Sequence, residues 1–436
     1  MTPARETRAI SGFLLFLGSI IIIANAFLAM APSWLGSGLL WFAGLTLFFD
    51  IKRSQQAVIG IILSIGLFSC LAAWQLDSFN DPLRILTVNQ SMIVMLIGVQ
   101  FLQLVAVPAI ELTRKLPVGK TAFIKTYFGV HFFGSVINLI ALLLVADRWY
   151  KQANLTEEQQ KLLVRAFSSA ANWSPFFAAF AAAMIFTPKA SIGTLMAVGF
   201  AMAVFSFLLT WVEISRTKGY LINEFVGYPM HFSALLLPIG LVFLVFVAQY
   251  LLPSISMLLL IAICSILVSV CVLIGRVGVV KASIGLESHV SRKLPLMRNE
   301  LLLFLAAGVL GVGLSSILDG LSVGVPIDHF DGFAAVVVLL LILIAALMGV
   351  HPVISIAIVG QWIGAIEPNQ TLLAITFLMG WSIGVAVSSI SGINLSLQGR
   401  YNVPASAAFQ WNLPYAMRMY GFACVLLVLT SYMLNL

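Results

Sequence analysis

Two stretches of this chain read Gly-Val-His followed four residues after the histidine by Ser: Gly129, His131 and Ser135, then Gly349, His351 and Ser355. Two others interrupt apolar runs with hydroxyls and amides. SSAANWSP (168–175) brings Ser168, Ser169, Asn172 and Ser174, and SSISGINLS (388–396) brings Ser388, Ser389, Asn394 and Ser396. Neutral oxygens of Ser and Asn, together with carbonyls freed where a helix breaks, are ligands suited to Na⁺. Helix N-termini and Ser/Asn donors are suited to a small anion. A histidine inside an apolar segment is a functional candidate, and its unperturbed pKa of about 6.5 would serve proton coupling. The same histidine could equally cap a turn. The chemistry on offer is therefore ion-coupled binding of an anion, with substrate contacts at the two Ser/Asn stretches and ion coupling at the two Gly-Val-His stretches.

Those residues sit in a strongly apolar chain. Of its 436 residues, 61% are hydrophobic and 9% charged, where soluble domains carry about 25% charged residues. Runs of about 20 apolar residues, the length that crosses a bilayer, recur near 9–30, 35–49, 56–74, 91–110, 190–212, 232–250, 255–275, 299–318 and 415–434. The fold class expected is an all-α polytopic membrane protein. The first run reads as a span and not as a cleavable leader. Cys70, Cys264, Cys271 and Cys424 show no CxxC spacing, which argues against a disulfide framework or a zinc site. No P-loop and no HExxH motif is present, which removes ATP-driven transport and a membrane metalloprotease. The net charge of +7 reads as basic residues at helix ends, with no nucleic-acid partner implied.

Four segments do not read as simple spans. Residues 112–146 and 332–366 each contain a Gly-Val-His element, and 155–186 and 371–400 each contain a Ser-rich interruption. His131 and His351, Ser135 and Ser355, Ser168-Ser169 and Ser388-Ser389, and Glu111 and Asp331 all stand 220 residues apart. That spacing points to an internal duplication. If 112–146 and 332–366 are re-entrant hairpins turning at Gly-Val-His, and 155–186 and 371–400 are broken spans, nearly all Lys and Arg fall on the side of Arg5 and Arg8. Only Arg84 and Lys189 fall opposite. The positive-inside rule then makes that side, with the N-terminus, cytoplasmic. The expected architecture has about 11 transmembrane helices plus two re-entrant hairpins in two inverted repeats. Its parts are a leading span (1–34), repeat 1 (35–214), a connecting loop with the first span of repeat 2 (215–254), and the rest of repeat 2 (255–436). Non-helical backbone at membrane depth is tolerated only inside protein or beside a water-filled cavity, which places the binding site at these interruptions.

The order of spans, hairpin, broken span and span, repeated inverted, resembles the ion transporter (IT) superfamily. That superfamily includes divalent-anion/sodium symporters and the large membrane subunits of TRAP transporters. Divalent-anion symporters carry Ser-Asn-Thr at hairpin tip and broken helix; here the broken spans have Ser168-Ser169 with Asn172 and Ser174, and Ser388-Ser389 with Asn394 and Ser396, and the tips have Gly-Val-His. The resemblance implies an elevator mechanism and a homodimer in the cytoplasmic (inner) membrane. It points to a secondary transporter of a small anion and no enzyme, with Na⁺ as the only cofactor-like species. A proton-coupled carrier using His131 and His351 is the alternative. A membrane enzyme acting on a lipid-linked substrate ranks lower, because the polar residues cluster in two internal motifs and not at one membrane face.

Overall fold

A computed structural model describes residues 3–106, 115–217, 221–230 and 236–436. Glu111 and the first residues of the 112–146 segment lie outside these. Apart from one isolated bridge, Val118 to Val226, the regular elements among the described residues are helices. The first six are α1 (Pro3–Leu28), α2 (Ser33–Phe48), α3 (Arg53–Gln75), α4 (Arg84–Thr87), α5 (Gln90–Gln100) and α6 (Gln103–Ala106). Next come α7 (Lys120–Ile137), α8 (Leu139–Tyr150), α9 (Glu157–Ser169), α10 (Ala178–Phe186) and α11 (Ile192–Ser215). Then follow α12 (Leu236–Leu251), α13 (Met257–Val277), α14 (Val279–Ser288) and α15 (Arg298–Gly320). The last five are α16 (Gly332–Leu347), α17 (Pro352–Gly364), α18 (Gln370–Val387), α19 (Gly392–Tyr401) and α20 (Ala405–Met433). Eight helical segments among the described residues are long and apolar enough to cross a bilayer, and four shorter apolar helices accompany them. Phe42, Leu45, Phe68, Leu71 and Trp74 are all more than half exposed, as side chains facing lipid would be. The chain is an all-helical, multi-pass membrane protein.

The helices begin where local chemistry stops the preceding backbone. At α9, Thr156 Oγ1 accepts from the Gln159 N–H and Gln159 Oε1 accepts from the Thr156 N–H, a reciprocal capping box, while Glu157 and Glu158 complement the helix dipole. Asp331 caps α16 through the Ala334 N–H, and Asn369 caps α18 through the N–H groups of Thr371 and Leu372.

The chain divides into two compact units. The first comprises Met1–Ala106, Leu241–Pro326 and Ala357–Ala365, and the second comprises Val107–Gly240, Ile327–Ile356 and Ile366–Leu436. Within the first unit α1 packs on α2, α3 along α15, and α5 along α13. Small residues make this possible: a Cβ on Gly66 would lie 2.7 Å from the Leu310 nitrogen, and one on Gly313 would lie 2.3 Å from the Gly66 oxygen. The pairing is crosswise. Each half's earlier helix lies on the other half's later one, as two copies related by a two-fold axis would arrange themselves.

Within the second unit α18 is the central helix, buried along its length. It packs against α9, α10, α11, α16 and α20. Five helices in the second half begin 212 to 214 residues after their counterparts: α16 after α7, α17 after α8, α18 after α9, α19 after α10 and α20 after α11. The spacing of these elements follows a frame of about 213 and not the 220 of the repeated letters. In this frame Ser169 corresponds to Ser382 and Asn138 to His351, while His131 and His351 are not equivalent. Letters repeated at 220 fall seven residues out of frame, two turns along a helix, so they share a face but not a level.

The turn expected at Gly129-Val130-His131 needs correction. Gly129 and His131 lie inside α7, and the interruption comes at Asn138, which takes φ +55° and separates α7 from α8. Residues 120–137 offer no Gly or Pro with a backbone value that would stop the helix at His131, so it continues until Asn138, a residue type that tolerates positive φ. In the second half the interruption does fall at Gly-Val-His, with Gly349 at φ +96°. Helix α16 packs on α18 and α20.

Candidate functional site

The broken spans meet inside the second unit. Helix α9 ends at Ser169, a 3-10 turn covers Ala170–Asn172, and an irregular stretch through Phe177 precedes α10. Helix α18 ends at Val387, with α19 starting at Gly392. Asn172 joins the two. Its Nδ2 donates to the Ser169 carbonyl at 3.1 Å and to Ser382 Oγ, on α18, at 2.8 Å. Asn172 is 1% exposed and Ser382 1%, yet Asn172 Oδ1 has no hydrogen-bond partner. A buried amide oxygen left unpaired costs about 1–3 kcal/mol, so this position holds an acceptor aimed at nothing the chain itself supplies.

Around this junction the other first-half residues are tied down. Ser174 Oγ donates to the Ser135 carbonyl at 2.6 Å and accepts from the Phe176 N–H, linking the break to α7. Ser135 Oγ donates to its own helix at Phe132, Ser168 Oγ to Arg165, and Ser169 Oγ to Ala166. His131 is fully engaged. Trp173 Nε1–H, which can only donate, points at His131 Nε2 at 2.9 Å. Nε2 must then be unprotonated, and Nδ1 carries the proton and donates to the Ala166 carbonyl at 2.9 Å, with Ser169 Oγ a further 3.1 Å contact. Gly129 faces Met230, whose side chain fills the space a Cβ would need.

The second-half residues are arranged differently. Asn394 lies inside α19 and its Nδ2 donates to the carbonyls of Val385, Ala386 and Ser388, closing the end of α18. Its counterpart in the repeat is not Asn172. Ser396 Oγ bonds back to Gly392, and Ser391, not Ser388 or Ser389, caps α19. Ser388 is buried, and Ser389 is half-buried with its carbonyl accepting from Gln398. His351 Nδ1 accepts from the Val353 N–H at the start of α17 and its ring meets Trp381 edge-on at 5.2 Å. Ser355 is buried on α17. The structure thus links His131, Ser169 and Asn172, joins Ser174 to Ser135, and leaves Ser168 bonded within α9, while His351 and Asn394 each serve a helix end.

Sequence reasoning missed the most concentrated charge in this unit. Arg165, read above as one of a basic group at the cytoplasmic end, is 0% exposed. Its two terminal nitrogens donate to the two carboxylate oxygens of Glu213 at 3.0 and 3.1 Å, its Nε to Asn412 Oδ1 at 3.0 Å, and Nη2 also to the Trp411 carbonyl. The guanidinium carbon lies 4.5 Å from the centre of the Tyr415 ring. Lys161 Nζ bridges Glu213 and Glu157. Tyr415 and Tyr127 hydroxyls meet on Ser206 Oγ at 2.7 and 2.9 Å, extending the polar chain towards α7. A usable signal was present: Arg165 stands between Leu162-Leu163-Val164 and Ala166-Phe167, and an arginine so flanked must find an internal partner. Among the described residues no group of His, Cys, Asp and Glu could hold a transition metal.

No protein-family model and no curated protein matches the chain. Among solved structures, the YdaH transporter of Alcanivorax borkumensis, reported as having an unusual topology, is similar over 98% of both chains, with 14% identity and a TM-score of 0.40.

Proposed function

We propose that this protein is a secondary transporter that carries a small organic anion across the cytoplasmic membrane by an elevator motion coupled to Na⁺. The observation that carries the reading is the Asn172–Ser382 junction. Two interrupted helices, one from each copy of the repeat, meet at a buried amide whose oxygen lacks a partner. Crossed broken helices between repeats are where secondary transporters bind substrate and coupling ion. In this reading Asn172 Oδ1 and neighbouring hydroxyls and carbonyls hold Na⁺, and Ser168–Ser174 with Ser388–Ser396 hold the anion. The proton-coupled alternative finds less support: both His131 nitrogens are already committed, and His351 lends one to a helix start. The N-terminus is placed in the cytoplasm by the distribution of Lys and Arg, and the working form is a homodimer.

Proteoliposomes test this directly. Uptake of a panel of carboxylates and sulfonates should follow an inward Na⁺ gradient and persist without a pH gradient. Ser169→Ala and Ser389→Ala should each raise the substrate half-saturation concentration about 10-fold or more, the value of one charge-assisted hydrogen bond. Transport indifferent to Na⁺, or selective for cations, would sink the proposal.

A further inference from the structure

The connection between α13 and α15, in the first unit, is unlike the others. Helix α13 stops at Gly278, which takes φ +79°. Helix α14 follows, then a π-helical turn at His289–Lys293 and a 3-10 turn at Leu294–Met297 lead to Arg298, the first residue of α15. The segment is pressed on α1: a Cβ on Gly12 would fall 2.0 Å from the Val290 oxygen and 3.2 Å from Pro295 Cγ. This bend is therefore a fixed part of the fold.

Its polar groups are left unsatisfied. His289 is 3% exposed, with its ring 4.8 Å from that of Phe101, and its Nε2 has no partner. Arg298 keeps Nε and Nη1 out of solvent, also without partners. Among the described residues no acidic side chain forms an ion pair with Lys281, Arg292, Lys293 or Arg298. Glu300, in the first turn of α15, answers the helix dipole and interacts electrostatically with Arg298 without bonding its Nε or Nη1. Guanidinium nitrogens without hydrogen-bond partners and a free imidazole nitrogen in the same bend call for an oxyanion with several acceptors.

The surroundings identify its source. Val279 is 67% exposed, Val280 74%, Ile284 60% and Leu296 55%. Exposed apolar side chains interleaved with Lys281, Arg292 and Lys293, on a helix between two spans, describe a segment lying in the membrane interface. A soluble phosphate has no use for the apolar part, whereas acyl chains do. We propose that the bend at His289–Arg298 binds the phosphate of an anionic phospholipid, with Arg298 and His289 as donors and the α14 side chains against the acyl chains. This stands whether or not the transport reading does.

Native mass spectrometry of the full chain in detergent, titrated with phosphatidylglycerol or phosphatidylcholine of the same acyl composition, tests it. Phosphatidylglycerol should be retained in preference, and Arg298→Gln should weaken that retention about ten-fold, while Lys189→Gln leaves it unchanged. Should Arg298→Gln fail to give a monodisperse protein, His289→Gln carries the same expectation. Equal retention of both lipids, unchanged retention in the variants, or displacement by millimolar inorganic phosphate would overturn the proposal.

Discussion

Ser169 and Ser382, 213 residues apart, are both bound by one amide: Asn172 Nδ2 donates to the carbonyl of the first and the hydroxyl of the second. A single side chain thus ties the end of α9 to α18, and its oxygen takes no hydrogen bond from the chain.

Asn172→Ala removes both donors and the unpaired oxygen. It should raise the Na⁺ concentration for half-maximal uptake about 10-fold or more and lower stability by about 1–3 kcal/mol. Ser382→Ala removes one acceptor and leaves Oδ1 in place, so its effect on Na⁺ should be smaller. Na⁺ titration of uptake in proteoliposomes orders the two; Na⁺ dependence identical to the parent in Asn172→Ala would exclude Oδ1 as a ligand.

His131 is held neutral by geometry, since Trp173 occupies Nε2 and Ala166 takes the Nδ1 proton. Uptake at saturating Na⁺ should therefore change little between pH 6 and 8 on its account. Trp173→Phe removes the donor to Nε2 and should introduce a pH dependence absent from the parent. A parent protein driven by an inward pH gradient without Na⁺ would contradict this.

The Arg165–Glu213 pair should dominate the stability of the second unit. Arg165→Ala leaves a carboxylate without its main partner and should cost about 3–5 kcal/mol. Arg165→Lys should recover only part, because an ammonium cannot reach Glu213, Asn412 and the Trp411 carbonyl together. An apolar pair, Arg165→Met with Glu213→Leu, should unfold closer to the parent than either single change. Thermal unfolding in detergent of the parent and these five variants supplies the values, and an Arg165→Ala protein as stable as the parent would remove the assignment.

Inversion of the copies can be read at their matched interruptions. With Cys70, Cys264, Cys271 and Cys424 replaced, single cysteines at Asn138 and His351 should react with an impermeant maleimide from opposite sides, Asn138 from within and His351 from without. Labelling of both from one side would rule out inverted repeats.

Much of this fold was legible from composition and apolar run length, because a chain in lipid must close its hydrogen bonds within helices and needs a set number of residues to cross. The interruption at 388–391 was legible too, since Ser388-Ser389 and Ser391-Gly392 stop an apolar run. The break at Asn138 was not: one asparagine between Val136-Ile137 and Leu139-Ile140 carries little signal, and Gly129-Val-His drew attention nine residues early. At the site, Ser168, Ser169, Asn172 and Ser174 were found because polar residues in a span are conspicuous. Ser382 was missed, since a lone serine in an apolar helix usually bonds to its own backbone. Arg165 was missed because positive residues near a helix end are normally in water, and only its three-dimensional neighbours show that it is not.

The seven-residue gap between the frame of the letters and the frame of the helices has a consequence in depth. Seven residues of helix rise about 10 Å, a third of the roughly 30 Å hydrocarbon core. Mutations paired by matching letters, such as His131 with His351, would sample different layers of the bilayer and would be expected to disagree. If the copies are inverted, pairs taken at 213, such as Asn138 with His351, would sample mirrored layers, and only those could report whether the two share the work equally.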